Sequence, residues 1–151
     1  MGSNLVFRAA RPADLPALAA LLSDDVLGAG RDGIQYLPAY EVALEAIQAQ
    51  AGNTLLVALL HAEVVGMLQL TFIPGLSRGG MLRAQIESVR VSGRHRGRRI
   101  GQALFEHALA LSREAGCGLV QLTTDKQRPD ARRFYEALGF QASHEGMKLA
   151  L

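Results

Sequence analysis

Apolar positions along this chain recur with two periods, one suited to helices and one to strands. Residues 5–8 form a short apolar run that predicts a first strand. Pro12 suits the first turn of a helix, with Asp14 favourable near its positive end. Leu15, Leu18, Ala19 and Leu22 then recur at helical spacing. Residues 24–33 contain three glycines and read as a loop, and residues 40–51 read as a second helix that stops near Gly52 and Asn53. Residues 55–60 and 64–72 are strand-like runs around His61, Ala62 and Glu63, the pattern of a hairpin. A turn-rich stretch over 74–80 precedes a strand over 84–91. Residues 100–115 place Ile100, Ala103, Leu104, Ala108 and Leu111 on one helical face. A strand over 119–124 and a short helix over 130–138 follow, the latter stopped by Gly139. Residues after Phe140 predict a final hairpin ending in 147–151.

The order β-α-α-β-β-β-α-β-α-β-β predicts an α/β or α+β domain, with helices flanking a mixed, mostly antiparallel sheet. The strand–helix–strand unit over 84–124 predicts that its two strands are parallel neighbours. At 151 residues the whole chain, 1–151, reads as a single domain.

Composition narrows the class. Sixteen Lys+Arg against fourteen Asp+Glu give a formal charge of +2, too little to indicate a nucleic-acid partner. No apolar run is long enough to span a membrane, and residues 1–8 lack a signal-peptide pattern, so a cytoplasmic protein is expected. Gly2 and Ser3 have the look of a cloning remnant. Cys117 is the only cysteine, which excludes an internal disulfide and a cysteine-based metal cluster. His61, His107 and His144 show no metal-ligand spacing, and no metal is expected.

Charge is concentrated where chemistry is expected. Arg90, Arg94, Arg96, Arg98 and Arg99 fall within ten residues, with His95 among them. A basic run marks a solvated face or a nucleic-acid patch in many chains. Here it ends in a glycine and opens a helix. Free N–H groups and the helix dipole make such an end a phosphate site. Gly97 and Gly101 permit close backbone approach, and arginines add charge-assisted bonds. The dinucleotide Gly-x-Gly-x-x-Gly and Walker patterns are absent. A basic loop that only caps its helix is the simpler alternative.

Arg96-Gly97-Arg98-Arg99-Ile100-Gly101 resembles the Arg/Gln-x-x-Gly-x-Gly/Ala signature of the GNAT superfamily of N-acetyltransferases, with Arg99 replacing the middle glycine. Residues 86–91 are similar to that family's central strand, residues 131–140 to its Ala-x-x-Phe-Tyr-x-x-x-Gly-Phe segment, and residues 8–15 to its first strand–helix junction. The resemblance implies a GNAT-like sheet whose parallel fourth and fifth strands splay to hold coenzyme A. It implies that amides of the loop, Arg96, Gly97, Arg98, Arg99, Ile100, Gly101 and Gln102, hold the pyrophosphate. Val89, Arg90 and Val91 would meet the pantetheine arm, and Thr124, Arg128, Ala131 and Phe134 would complete the cofactor contacts. Arg128 stands where the family often has asparagine.

Acetyl transfer from a thioester needs a neutral amine, donors for an oxyanion and a proton for the departing thiolate. The resemblance makes Tyr135 the general acid; a phenol, with an ordinary pKa near ~10, is protonated at neutral pH. Glu87 matches a frequent general base, and an ion pair is its structural alternative. Strand alternation places Glu87, Val89 and Val91 on one face. Cys117, between two glycines, reads as a packed thiol.

The acceptor is expected opposite acetyl-CoA, beside the loop over 24–37, where Asp24, Asp25 and Asp32 could attract an amine and Arg31 an acid group. A small primary amine, aminoalkylphosphonate-like among others, is the first expectation. A protein or peptide N-terminus and a non-catalytic acyl-CoA sensor are the alternatives. No nucleic-acid or membrane partner is expected, and the apolar residues 147–151 allow a homodimer.

Overall fold

The computed structural model describes residues 4–95 and 97–151. Gly2, Ser3 and Arg96 lie outside the described residues. The chain divides into two compact units, Met1–Gln121 and Leu122–Leu151.

The first unit is a five-stranded sheet in the order β1 (Leu5–Ala9), β2 (Asn53–Leu60), β3 (Glu63–Pro74), β4 (Leu82–Val91) and β5 (Leu119–Gln121). Neighbours are antiparallel except β4 and β5, which run parallel from Arg83↔Leu119 to Gln85↔Gln121. This is the mixed α+β architecture expected from the sequence.

Helices cover both faces. On one face lie α1 (Leu15–Leu22) and α2 (Leu37–Ala49), whose Leu15, Leu18, Leu21 and Leu44 join Val57 and Met67 in a buried cluster. On the other lies α3 (Ile100–Glu114), with Leu104, Phe105 and Ala108 fully buried. Full burial of each large apolar side chain stabilises by roughly 1.5–3 kcal/mol. Gly66 marks a close approach of β3 to β4, since a Cβ there would stand 3.3 Å from the Arg90 carbonyl oxygen.

The junction before α1 is fixed by charge. Arg8 of β1 donates to both carboxylate oxygens of Asp14, at 2.7 and 3.1 Å, and the Arg11 amide donates to the same carboxylate at 2.8 Å. The Arg8 bonds hold the Asp14 carboxyl below its usual range, against the opposing effect of burial. The β2–β3 hairpin closes through His61 and Ala62, both left-handed at φ 49° and 66°. Two positive φ values in a row match the twist of the flanking strands, even without glycine.

In the second unit, α4 (Pro129–Ala137) begins with proline at its first position and ends before Gly139, at φ 102°. Arg133 pairs with Asp130, and Arg132 with Glu136 at 3.6 Å.

The structure departs from the sequence reading at several elements. The second helix begins at Leu37, because Pro38 suits a first turn, and ends at Ala49. Strand β5 stops at Gln121 rather than 124. The expected final hairpin does not form: residues 141–151 contain no strand. Residues 141–146 carry no large apolar side chain and lack an alternating apolar face, and Ser143 satisfies its amide locally on the Gln141 carbonyl at 2.9 Å. Alternation starts only at Met147, and Met147, Leu149 and Leu151 stay exposed.

Candidate functional site

The central strand is bent by one residue. Gln69 pairs with Glu87, and Met67 pairs with Arg90, so two residues of β4 stand opposite Leu68. The extra residue forms a bulge in which Ser88 takes a left-handed backbone, φ 55°. Simple alternation therefore fails here. Glu87 shares a face with Gln69 and Met67, the face covered by α1 and α2. Val91 pairs with Gly66 and lies on the α3 face, with Val89 two residues before it. The expectation that Glu87, Val89 and Val91 share one face is corrected by this bulge.

Glu87 is exposed, so it bears no burial cost, and among the described residues it makes no ion pair. Arg90 is half-buried and donates to its neighbour's carbonyl, Val89 O, at 2.9 Å. That bond turns one guanidinium nitrogen back onto its own strand.

Beyond Gln85, β4 runs on to Val91 with no strand among the described residues hydrogen-bonded on its β5 side. Ser92, the next residue, is buried and its amide donates to Val65 O at 2.8 Å, anchoring the strand's end.

The loop that follows opens directly into α3. Gly97 is left-handed at φ 80°, and Arg99 is left-handed at φ 55°, ψ 28°. Arg99 thus holds the conformation that the motif's middle glycine would take, at a cost of roughly 1–2 kcal/mol for a residue with a Cβ. Among the described residues, no side chain caps the helix. By helix geometry the amides of Ile100, Gly101 and Gln102 have no intrahelical acceptor, while Ala103 N reaches Arg99 O at 3.0 Å. Ile100 is buried and fixes the helix start against the sheet. An uncapped N-terminus behind two left-handed residues is a cradle of outward N–H groups carrying the dipole's partial positive charge.

The basic run divides by role. Arg94 pairs with Glu63 at 2.5 Å, and His95 Nε2 stands 3.7 Å from the same carboxylate, tying the loop to the β2–β3 hairpin. Arg98 and Arg99 are exposed and make no ion pair among the described residues, which leaves their charge for a ligand. Gln102 donates to Glu106 Oε1 at 3.1 Å.

The remaining predicted residues belong to the second unit. Thr124 and Arg128 precede α4, and Ala131, Phe134 and Tyr135 lie on it. Tyr135 is half-buried, with its ring edge-on to Phe134 at 5.6 Å and to Phe140 at 6.1 Å between centroids.

Two loop acids expected near an acceptor are occupied by the fold itself. Asp25 accepts from Gly28 N at 2.7 Å, capping the single turn Val26–Ala29. Asp32 accepts from the Tyr40 hydroxyl at 2.8 Å, and that hydroxyl accepts from Gly33 N at 3.1 Å. Burial, above all, pushes the Tyr40 phenol up. Burial likewise pushes the Cys117 thiol up, as suits a packed thiol. The sequence reading missed a cavity of about 150 Å³ between α1, α2 and the sheet, which Ser88 also lines. Its walls are mostly apolar side chains of the kind any core contains, and only the unpredicted bulge distinguishes it.

The family model for the acetyltransferase (GNAT) family matches residues 17–140. The chain belongs to this family. Members take acetyl-CoA together with an acceptor. The residues present fit that co-substrate: an uncapped helix end with two exposed arginines for phosphates, and an open strand edge for the pantetheine amides. Glucosamine 6-phosphate N-acetyltransferase of Trypanosoma brucei brucei is 38% identical over 90 residues, covering 59% of this chain and 58% of that protein. Aminoalkylphosphonate N-acetyltransferase of Salmonella typhimurium is 37% identical over 87 residues, covering 58% and 56%. The chain therefore spans a little over half the length of the curated relatives it matches. The crystal structure of a transcriptional regulator from Bacillus halodurans C-125 is similar at a TM-score of 0.93 and 46% identity, over 97% of this chain and 99% of that one. Among the described residues, no helix is long and apolar enough to cross a membrane, and no group of His, Cys, Asp and Glu could hold a metal.

Proposed function

We propose that this chain transfers the acetyl group of acetyl-CoA directly to the primary amine of a small molecule. The observation that carries the reading is the uncapped start of α3 behind left-handed Gly97 and Arg99, in a chain of the GNAT family. The family match crosses the boundary between the two units, which supports reading 1–151 as one acetyltransferase domain.

In this reading, amides of Ile100, Gly101 and Gln102, with Arg98 and Arg99, hold the pyrophosphate. The edge of Val89–Val91, beyond the last β4–β5 pair, takes the pantetheine arm. Glu87, solvated and on the α1 face, removes a proton from the attacking ammonium, directly or through water. The freed amine nitrogen bonds to the acetyl carbon, the carbon–sulfur bond breaks, Tyr135 gives its proton to the departing thiolate, and the nitrogen's second proton restores the Tyr135 hydroxyl as the amide forms. The motif match of residues 131–140 supports that role for Tyr135. The two curated relatives, both named for phosphorus-bearing amines, support a small-molecule acceptor.

The test is thiol release from acetyl-CoA across a panel of primary amines. Turnover by the wild type should fall about 10²- to 10⁴-fold in Tyr135→Phe, the range for loss of a general acid. A second reading, a non-catalytic acyl-CoA-responsive module, is favoured by the likeness to the Bacillus halodurans protein, which is named a transcriptional regulator. Tight CoA binding with no turnover on any amine would select it.

A further inference from the structure

The cavity behind β4 bears on the acceptor. It measures about 150 Å³ and is walled by Leu18 and Leu22 of α1, Ala43 and Ile47 of α2, and Met67 of β3. The cavity is open to solvent on one side, where Ala43 and Ser88 are exposed, and its volume is of the order that a benzene-sized guest fills.

Its polar margin is small and specific. Ser88, left-handed at the β4 bulge, lines the cavity and is exposed. Gln69 lines it too, with its amide nitrogen committed to Asn53 Oδ1 at 3.0 Å. Gln69 is the cross-strand partner of Glu87, so the carboxylate stands on the cavity's own face of the sheet. A guest could therefore keep a charged nitrogen at the solvated Glu87–Ser88 margin and bury a carbon tail behind it.

Among the described residues, no lysine or arginine lines the cavity. Arg90, on the same face, donates to Val89 O instead. A phosphate or phosphonate placed among Leu18, Ile47 and Met67 would be desolvated without a cation, which is strongly unfavourable. Strain in a non-glycine backbone is commonly retained where function requires it, and the bulge at Ser88 opens the strand beside this cavity.

Resting on the acetyltransferase reading, we propose that the acceptor is a primary amine bearing an apolar tail of about benzene size, an arylalkylamine or short alkylamine. The tail occupies the cavity between α1, α2 and Met67, and the amine meets Glu87. This separates the chain's acceptor from the phosphate- and phosphonate-bearing amines named for its two curated relatives.

The experiment uses the full chain with acetyl-CoA and three acceptors: phenethylamine, hexylamine and glucosamine 6-phosphate. The two apolar amines should exceed the phosphorylated one in kcat/KM by at least tenfold. Ala43→Phe, on the exposed side of α2, fills the cavity. It should raise KM for the apolar amines at least tenfold and leave CoA binding unchanged. Binding is read independently of turnover with methyl-labelled methionine, of which the chain has four. Phenethylamine should move the Met67 methyl resonance in the wild type and not in Ala43→Phe. Preference for glucosamine 6-phosphate, or an unmoved Met67 resonance, would overturn the apolar-acceptor inference while leaving the enzyme reading intact. Met67 perturbation without turnover of any amine would keep the cavity as an apolar-amine site and overturn the enzyme reading instead.

Discussion

The open edge of β4 and the helical face beside it use different materials. The edge and the start of α3 offer backbone: amides of Ile100, Gly101 and Gln102, held out by left-handed Gly97 and Arg99. The α1–α2 face offers side chains, Leu18, Leu22, Ala43, Ile47 and Met67, around an apolar void. A backbone site needs glycines and arginines at fixed spacing and so leaves a motif. A side-chain site made of leucine, isoleucine and alanine has the composition of any core. The difference explains why the sequence names the acetyl donor so much better than the acceptor.

The largest expected effect separates ligand binding from folding at the backbone site. Gly101→Asp puts a carboxylate in the first turn of α3, where the dipole welcomes it by about 0.5 kcal/mol. The same charge repels a pyrophosphate. CoA affinity measured by calorimetry should fall at least 100-fold, roughly 2.7 kcal/mol, while thermal stability holds or rises. Equal losses of both would show that the position matters to the fold alone.

Next in size is the clamp that positions α1, one wall of the side-chain site. Asp14 accepts three hydrogen bonds, from Arg8 and Arg11. Asp14→Ala should cost about 2–3 kcal/mol in denaturant unfolding, less than the ~3–5 of a sealed pair, since the Arg8 side chain stays 23% exposed. The pH dependence has a definite sign. The folded Asp14 carboxyl is held below its ordinary value, so its contribution is complete above about pH 4 and is lost as pH falls through the lower, folded value. The difference in stability between wild type and Asp14→Asn should therefore shrink in acid. A gap that widens below pH 4 would contradict the clamp.

The smallest effect sharpens the account of the loop. Arg99→Gly relieves a left-handed residue, partly offset by the entropy that glycine adds to the unfolded chain. A gain of up to about 1 kcal/mol is expected in thermal unfolding. CoA affinity should weaken by less than tenfold, because one exposed charge is lost and the amides keep their places. A loss of stability would mean that the Arg99 side chain holds the loop.

The fold was legible wherever one period ran unbroken. The strands over 55–60 and 64–72 and the helix from Ile100 emerged because burial on a defined face imposes periodicity. The bulge at Ser88 was not legible, since nothing in Glu87, Ser88 and Val89 announces an extra residue, and it moved Glu87 to the face opposite Val91. The end of the chain was misread for a related reason. Met147, Leu149 and Leu151 alternate as a strand does, but a strand also needs a partner for its N–H and C=O groups, which no local pattern supplies. Asp25 and Asp32 read as attractants for an amine; Asp25 caps a helical turn and Asp32 accepts from the Tyr40 hydroxyl, because a short polar side chain serves either purpose.

The central claim, that the start of α3 holds the pyrophosphate of coenzyme A, is tested most directly by thermal unfolding of the full chain with CoA, wild type beside Gly101→Asp. At about 1,000 times its dissociation constant, CoA should stabilise the wild type by ~4 kcal/mol, a rise of roughly 10 °C, and leave Gly101→Asp nearly unmoved. No shift of the wild type at millimolar CoA, or equal shifts of both proteins, would contradict it.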